Sequence, residues 1–205
     1  MADVVDLTLL AEVFITLFVI MDPPGTVPIF LGLTSQRTPQ SRRRAAWQAV
    51  TVSFAVIVSF ALFGRQLLEY LHISLPALQA AGGLLLLLVA LQLLTGQESE
   101  PSAAAEVNVA MVPLGTPLLA GPGAIVATMV FVEEIDATPP FVAVVAGIVG
   151  VHLVLWVFMR FASVVQRVLG ESGVTLVTRI SGLLVSAIAV QLIADAVRAF
   201  IAGEG

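Results

Sequence analysis

The sequence has no cysteine and no lysine, and only 11% of its 205 residues are charged. Without cysteine there are no disulfides, thiolate zinc sites or iron–sulfur clusters. All nine basic residues are Arg, and no contiguous basic surface of the kind that binds nucleic acid is visible. No Arg precedes Arg37, while Asp3 and Asp6 do, so the N-terminus lacks the basic region of a signal peptide and the first apolar run is expected to be retained as a helix. No nucleophile–base pair, metal-ligand cluster or phosphate-binding glycine loop can be picked out. The expectation is a protein that is not an enzyme and carries no cofactor beyond coupling to H+ or Na+.

What fills the chain is apolar sequence. Hydrophobic residues make up 59% and mean hydropathy is +1.04, against about 45–50% apolar and about 25% charged in soluble domains. Several uncharged runs exceed the roughly 18–20 residues that cross a hydrocarbon core. Six segments are expected: about Leu9–Leu33, Ala45–Phe63, Leu75–Leu94, Val109–Val132, Pro140–Phe158 and Thr178–Ile201. Gly96–Asn108, with three Glu and a Pro, reads as a polar linker between two halves, residues 7–95 and 109–201, of a single transmembrane domain covering 1–205.

Orientation follows from Arg placement, because positive charge is retained on the cytoplasmic side. Arg37, Arg42, Arg43, Arg44, Arg160 and Arg167 fall in connections on one side, Arg65 and Arg198 on the other, and Arg179 at the edge of the sixth segment. This bias puts both termini outside and the Arg cluster and linker inside. The cluster serves as a topology anchor or, alternatively, as a contact for anionic lipid.

The halves echo one another. Pro24-Gly25 matches Pro122-Gly123 at an offset of 98, and Gly83 with Gln92 matches Gly182 with Gln191 at an offset of 99. Each half has three spans, an odd number, so the second half enters the membrane from the opposite face. The fold class expected is therefore an all-α membrane protein with six transmembrane helices, arranged as two inverted three-helix repeats. In such proteins the substrate site lies near the midplane at the repeat interface.

The first segment of each half is expected to break at its Pro-Gly. Asp22-Pro23-Pro24-Gly25-Thr26-Val27-Pro28 places three prolines in six residues, and each proline inside a helix costs about 3 kcal/mol. Asp followed by Pro also begins a helix well. The fourth segment carries Pro113, Pro117 and Gly121-Pro122-Gly123, with Ala120 where the first half has Asp22, so its new helix starts with no acidic cap. Unpaired N–H groups there suit an anion such as a carboxylate.

Candidate substrate-binding residues are thus Asp22, Pro24, Gly25, Thr26, Gly121, Pro122 and Gly123, with Gln92 and Gln191 as hydrogen-bonding partners of substrate or of neighbouring helices. Asp22 has two readings, a helix cap or a charge facing a substrate ammonium or a coupling cation. Asp195 with Arg198 reads as a local pair. His152 reads as a packed neutral histidine or a proton relay, and Gly82, Gly83, Gly147 and Gly150 as close helix contacts.

The run Asp22 to Phe30, the run Pro117 to Ile125 and the closing Arg179-Ile180-Ser181-Gly182 through Gln191 resemble the MarC family of bacterial inner-membrane proteins, also called the neutral amino-acid transporter family. The likeness spans essentially the whole chain. It implies six helices, the bacterial cytoplasmic membrane and, for some members, transport of small neutral amino acids. Thr26 departs from the family pattern, where Asn is expected, so this side chain keeps a hydroxyl but no amide.

The leading expectation is a secondary transporter of a small polar solute, most simply a neutral amino acid, moved by alternating access between the broken helices. Its partners are that solute, the lipid bilayer and, as an open option, further copies of the chain; nucleic acid is not among them. The alternative is a non-transporting integral membrane protein for assembly or lipid handling.

Overall fold

The computed structural model describes residues 6–96, 119–133, 135 and 138–203. The expected linker beyond Gly96, with Pro113 and Pro117, lies outside these residues. Among the described residues all regular structure is helical: α1 Leu7–Met21, α2 Pro23–Leu33, α3 Pro39–Leu71, α4 Leu75–Thr95, α5 Pro122–Glu133, α6 Thr138–Arg160 and α7 Ala162–Ala202.

Local chemistry sets most boundaries. Asp6 caps α1 by accepting from the N–H groups of Thr8 and Leu9, both at 3.0 Å. Thr38 caps α3, with Pro39 at its first position, and Ser74 caps α4, with Pro76 just inside. Gly96 and Gly203 end α4 and α7 in the left-handed conformation.

Five stretches are long and apolar enough to cross a membrane: Leu7–Leu33, Pro39–Leu71, Leu75–Thr95, Pro139–Arg160 and Ala162–Ala202. The fourth expected segment is described only from Leu119, where α5 contributes a shorter apolar helix. Two boundaries differ from expectation. The second segment is helical from Pro39, because Thr38-Pro39 starts the helix ahead of the Arg cluster. The connection expected around Arg160 and Arg167 is also helical, interrupted at Phe161 and at Gly170, whose φ of 65° only glycine adopts freely.

The helices pack through small residues. A Cβ added at Gly83 would lie 2.8 Å from the Ala189 carbonyl oxygen and 2.7 Å from the Ile193 side chain. One added at Gly182 would lie 3.2 Å from the Ala90 carbonyl oxygen and 3.0 Å from Leu93. α4 and α7 thus approach through two glycines, each against the other helix's backbone, with Leu86, Ala90, Val185 and Ala189 buried between them and Val19 of α1 against the seam. Gly147 and Gly150 of α6 similarly accept Val13 and Phe14 of α1, as their spacing suggests. Close approach of this kind is the main packing force where lipid is as apolar as the helices. A larger core joins α1, α2, α3, α5 and α6 around Leu17, Phe30, Ile57, Val151 and Leu155. Outward faces remain apolar, as at Leu84, Leu88, Leu91 and Leu183.

One buried polar pair lies within this core. His152 Nδ1 is 2.7 Å from the Ile148 carbonyl, so it carries the proton, and Nε2 then accepts from the Ser53 hydroxyl at 3.2 Å. Both ring nitrogens are engaged, and the ring edge meets Phe54.

Gly83→Ala is expected to force α4 and α7 apart and to cost about 1–3 kcal/mol, as overpacking does. Gly32, also helical but with nothing within 4 Å of its Cβ position, is the control: Gly32→Ala is expected to gain about 0.5–1 kcal/mol. Thermal unfolding in detergent reads both, and equal melting temperatures for the two variants would refute the close-approach account.

Candidate functional site

The site is built around the junction of α1 and α2. Asp22 stands alone between them with φ 40° and ψ 68°, a left-handed residue that ends one helix and precedes the next. Asp tolerates this conformation better than most residues. The two prolines that follow have no N–H, so the α1 carbonyls of Val19 and Ile20 have no donor four residues on. Pro28 leaves the Pro24 carbonyl in the same position. The Thr26 hydroxyl donates to the Pro23 carbonyl at 2.8 Å, which spends its proton and leaves it able only to accept.

The cap reading of Asp22 fails. Its side chain makes no capping bond to α2. A working N-cap has an extended backbone and bonds an N–H at the second or third helical position; Asp22 is left-handed, the second position is Pro24, and the Gly25 N–H at the third lies near the carboxylate without a bond of capping geometry. The residue is only 5% exposed, and neither carboxylate oxygen has a hydrogen-bond partner. The polar groups around it are the hydroxyls of Ser181 and Thr178 on α7 and the Gly25 N–H.

On one side of Asp22 opens a cavity of about 220 Å³. Met21, Asp22, Gly25 and Thr26 form one wall, Leu86, Val89 and Gln92 of α4 a second, and Leu119 with Gly121, Pro122, Gly123 and Ala124 a third. Seven of the nine candidate residues therefore share one cavity. Pro24 is buried in α2 but does not line it. Gln191 lies elsewhere: it is exposed on α7, and its Nε2 donates to both Asp195 oxygens at 2.9 and 2.8 Å. Asp195 also pairs with Arg198 at 3.1 Å.

The α5 end of the cavity is less rich in donors than its sequence suggests. Pro122 has no N–H, and those of Ala124 and Ile125 both turn back to the Gly121 carbonyl at 3.0 and 3.2 Å. Gly123 is left with the N–H of this first turn that has no such bond, at the positive end of the α5 dipole. A Cβ on Gly123 would run into Leu86, so α4 closes tightly over that turn. The cavity thus has Asp22 in its α1 wall, with both carboxylate oxygens buried, and the Gly123 backbone at its α5 side, with Gln92 exposed along the same cavity.

Thr178 and Ser181 were not among the candidates. They sit three residues apart on one face of α7, just before the Gly182 contact, and both are buried. Two hydroxyls at helical spacing ahead of the second-half Gly motif were the available signal. Gln79 and Gly82, the positions 99 earlier, carry no hydroxyl, so comparison of the halves concealed it.

The comparisons with known proteins agree on what the chain resembles. A family model described as MarC family integral membrane protein matches residues 7–201. A UPF0056 membrane protein of Methanocaldococcus jannaschii is 37% identical over 201 residues, covering 94% of this chain and 98% of the relative. The UPF0056 membrane proteins YhcE of Escherichia coli and YvbG of Bacillus subtilis are 32% and 30% identical, covering 93% and 90% of this chain and 92% of each relative. No solved structure matches.

Because Asp22 caps neither helix, Asp22→Asn is expected to leave the melting temperature in salt-poor detergent unchanged or raised, since it removes an unpartnered buried charge. A fall of several degrees would restore the capping role.

Proposed function

We propose that this chain, which belongs to the MarC family of integral membrane proteins, is a secondary transporter of small polar solutes, with neutral amino acids as its substrate class. The observation that carries this reading is the cavity between the α1–α2 junction and the start of α5, with the unpartnered carboxylate of Asp22 buried in its wall at the junction and, at the start of α5, the Gly123 N–H, unpaired among the described residues. A zwitterion fits those two groups: its carboxylate at the Gly123 N–H, its ammonium at Asp22. Thr26, able only to accept, and Gln92 at the α4 wall supply further hydrogen bonds. The apolar remainder of the lining, from Leu86, Val89 and Leu119, suits a small uncharged side chain.

Alternating access is the mechanism proposed, by rocking of two inverted three-helix repeats around the site. Reciprocal contacts support that architecture. Gly83 and Gly182 are 99 apart, as are Ala90 and Ala189, and each glycine meets the alanine of the other half. Ser53 and His152, also 99 apart, bond to each other, as two equivalent positions on a two-fold axis would. The membrane is proposed to be the bacterial cytoplasmic membrane, with both termini outside and the Arg42–Arg44 cluster inside. With no catalytic set assigned, the energy source in this reading is an ion gradient.

Flux of labelled alanine, serine and threonine into proteoliposomes tests the reading. Wild-type protein is expected to give substrate-dependent uptake, and Gly123→Leu, which fills the cavity beside Leu86, and Asp22→Asn are each expected to lower it by roughly tenfold or more. Absence of flux for every amino acid tried, in either direction, would favour the non-transporting alternative of assembly or lipid handling.

A further inference from the structure

Behind Asp22, away from the cavity, lies a second group of oxygens. Thr178 and Ser181 do not line the cavity, yet both hydroxyls face the Asp22 carboxylate from α7. A Cβ placed on Gly25 would lie 3.0 Å from Thr178 Oγ1 and 2.8 Å from Asp22 Cγ, and would run into Asp22 Oδ2. The carboxylate therefore lies directly over the bare Cα of Gly25, with the Thr178 hydroxyl close beside it. Thr178 is 6% exposed, and its Oγ1, like both oxygens of Asp22, has no hydrogen-bond partner.

That hydroxyl, like the one of Thr128 in α5, makes no bond to the preceding turn. Helical Thr and Ser hydroxyls normally bond back to a carbonyl of the preceding turn, and here Thr34, Ser59, Thr95, Thr175 and Ser186 all do so at 2.6 to 2.8 Å. Thr178 forgoes that bond, and its hydroxyl lies beside the Asp22 carboxylate instead. The C-terminal end of α1 abuts the same junction. It carries the negative end of a helix dipole and the Val19 and Ile20 carbonyls that Pro23 and Pro24 cannot serve.

We infer that the cluster of oxygens formed by Asp22, Thr178 and Ser181 beside Gly25 is a binding site for Na+, the coupling ion of the proposed transport cycle. The inference rests on that transport reading and extends it to the ion. One carboxylate among neutral hydroxyls balances a monovalent cation, whereas a divalent ion would leave an uncompensated charge in the bilayer interior. A proton on Asp22 would use one acceptor and leave the remaining oxygens unserved; a metal ion uses several at once. Broken-helix carbonyls and helix C-termini hold Na+ in other transporters for the same reason. Asp22 is then shared, with the ion on the α7 side and the substrate ammonium on the cavity side.

The test is ion binding without substrate, so that it stands apart from flux. Purified protein in detergent is titrated with NaCl at constant ionic strength against KCl and choline chloride, with thermal stability and labelled-Na+ binding as readouts. Na+ alone is expected to raise the melting temperature. Thr178→Val and Ser181→Ala are each expected to weaken Na+ binding by roughly tenfold, Thr178→Ser to retain it, and Asp22→Asn to abolish it. Equal responses to Na+, K+ and choline in the wild-type protein would overturn the proposal, as would stabilisation that follows pH and ignores Na+, which would make Asp22 a proton site. Unchanged Na+ affinity in folded Thr178→Val and Ser181→Ala would overturn the assignment of the ligands. Na+ binding with the expected losses, in a protein that moves no amino acid, would support the ion site and sink the transport reading alone.

Discussion

A carboxylate taken out of water with nothing to pair it is among the least favourable things a membrane protein can hold, and the architecture around Asp22 depends on that fact. The residue is placed by backbone chemistry. Pro23 and Pro24 forbid continuation of the α1 hydrogen-bond ladder, and the chain escapes through one left-handed residue before α2 begins. That turn lays the side chain over Gly25 without a capping bond to its N–H. The same two prolines remove donors from α1 and deprive α2 of an N–H at its second position, so the junction accumulates oxygen atoms. Neighbouring elements then bring Thr178, Ser181 and Gly123 to it. α7 reaches the junction because Gly182 and Gly83 let it lie against α4, and α5 reaches it because Gly123 lets Leu86 close over its first turn.

Much of this frame was legible in advance, and the reasons are physical. Length and hydropathy identify spans because an exposed backbone cannot be solvated in lipid. Glycines at helical spacing predict close approach because a helix pair has little else to gain from packing in lipid, and Gly82, Gly83, Gly147 and Gly150 all serve such contacts. Asp195 and Arg198 pair because they are three residues apart on one helix. Each of these signals is local or depends on a single dimension of the chain.

What sequence did not reveal is which way a side chain faces. In a soluble protein the polar face of a helix marks the outside, but here both faces of α4 and α7 are apolar, so periodicity is silent about orientation. Gln92 and Gln191 occupy equivalent places in the sequence, yet Gln92 lines the cavity while Gln191 binds Asp195 on the exposed face. Thr178 and Ser181 escaped notice for the same reason: helical hydroxyls usually satisfy themselves, and it is the place beside Asp22, not the missing back-bond alone, that marks Thr178. The cap reading of Asp22 failed because it assumed an extended backbone where two prolines and a helix end imposed a left-handed one.

The two halves are unequal in a way that bears on energetics. Where the first half has Asp22, the second has Ala120, so the two halves bring one ionisable acid to the site between them. A neutral amino acid is a zwitterion, and it brings no net charge to that carboxylate. With substrate alone and Asp22 ionised, the site would keep its negative charge through any conformational change, and the desolvation cost would remain. A bound monovalent cation cancels it. In the proposed cycle, substrate and ion are therefore complementary: the zwitterion satisfies donors and acceptors across the cavity, and the cation supplies the charge that allows Asp22 to be enclosed. If both halves carried the acid, two charges would need neutralising; if neither did, substrate could be enclosed without an ion and nothing would couple its movement to a gradient. One acid in two halves gives the smallest arrangement in which closure of the site depends on the ion.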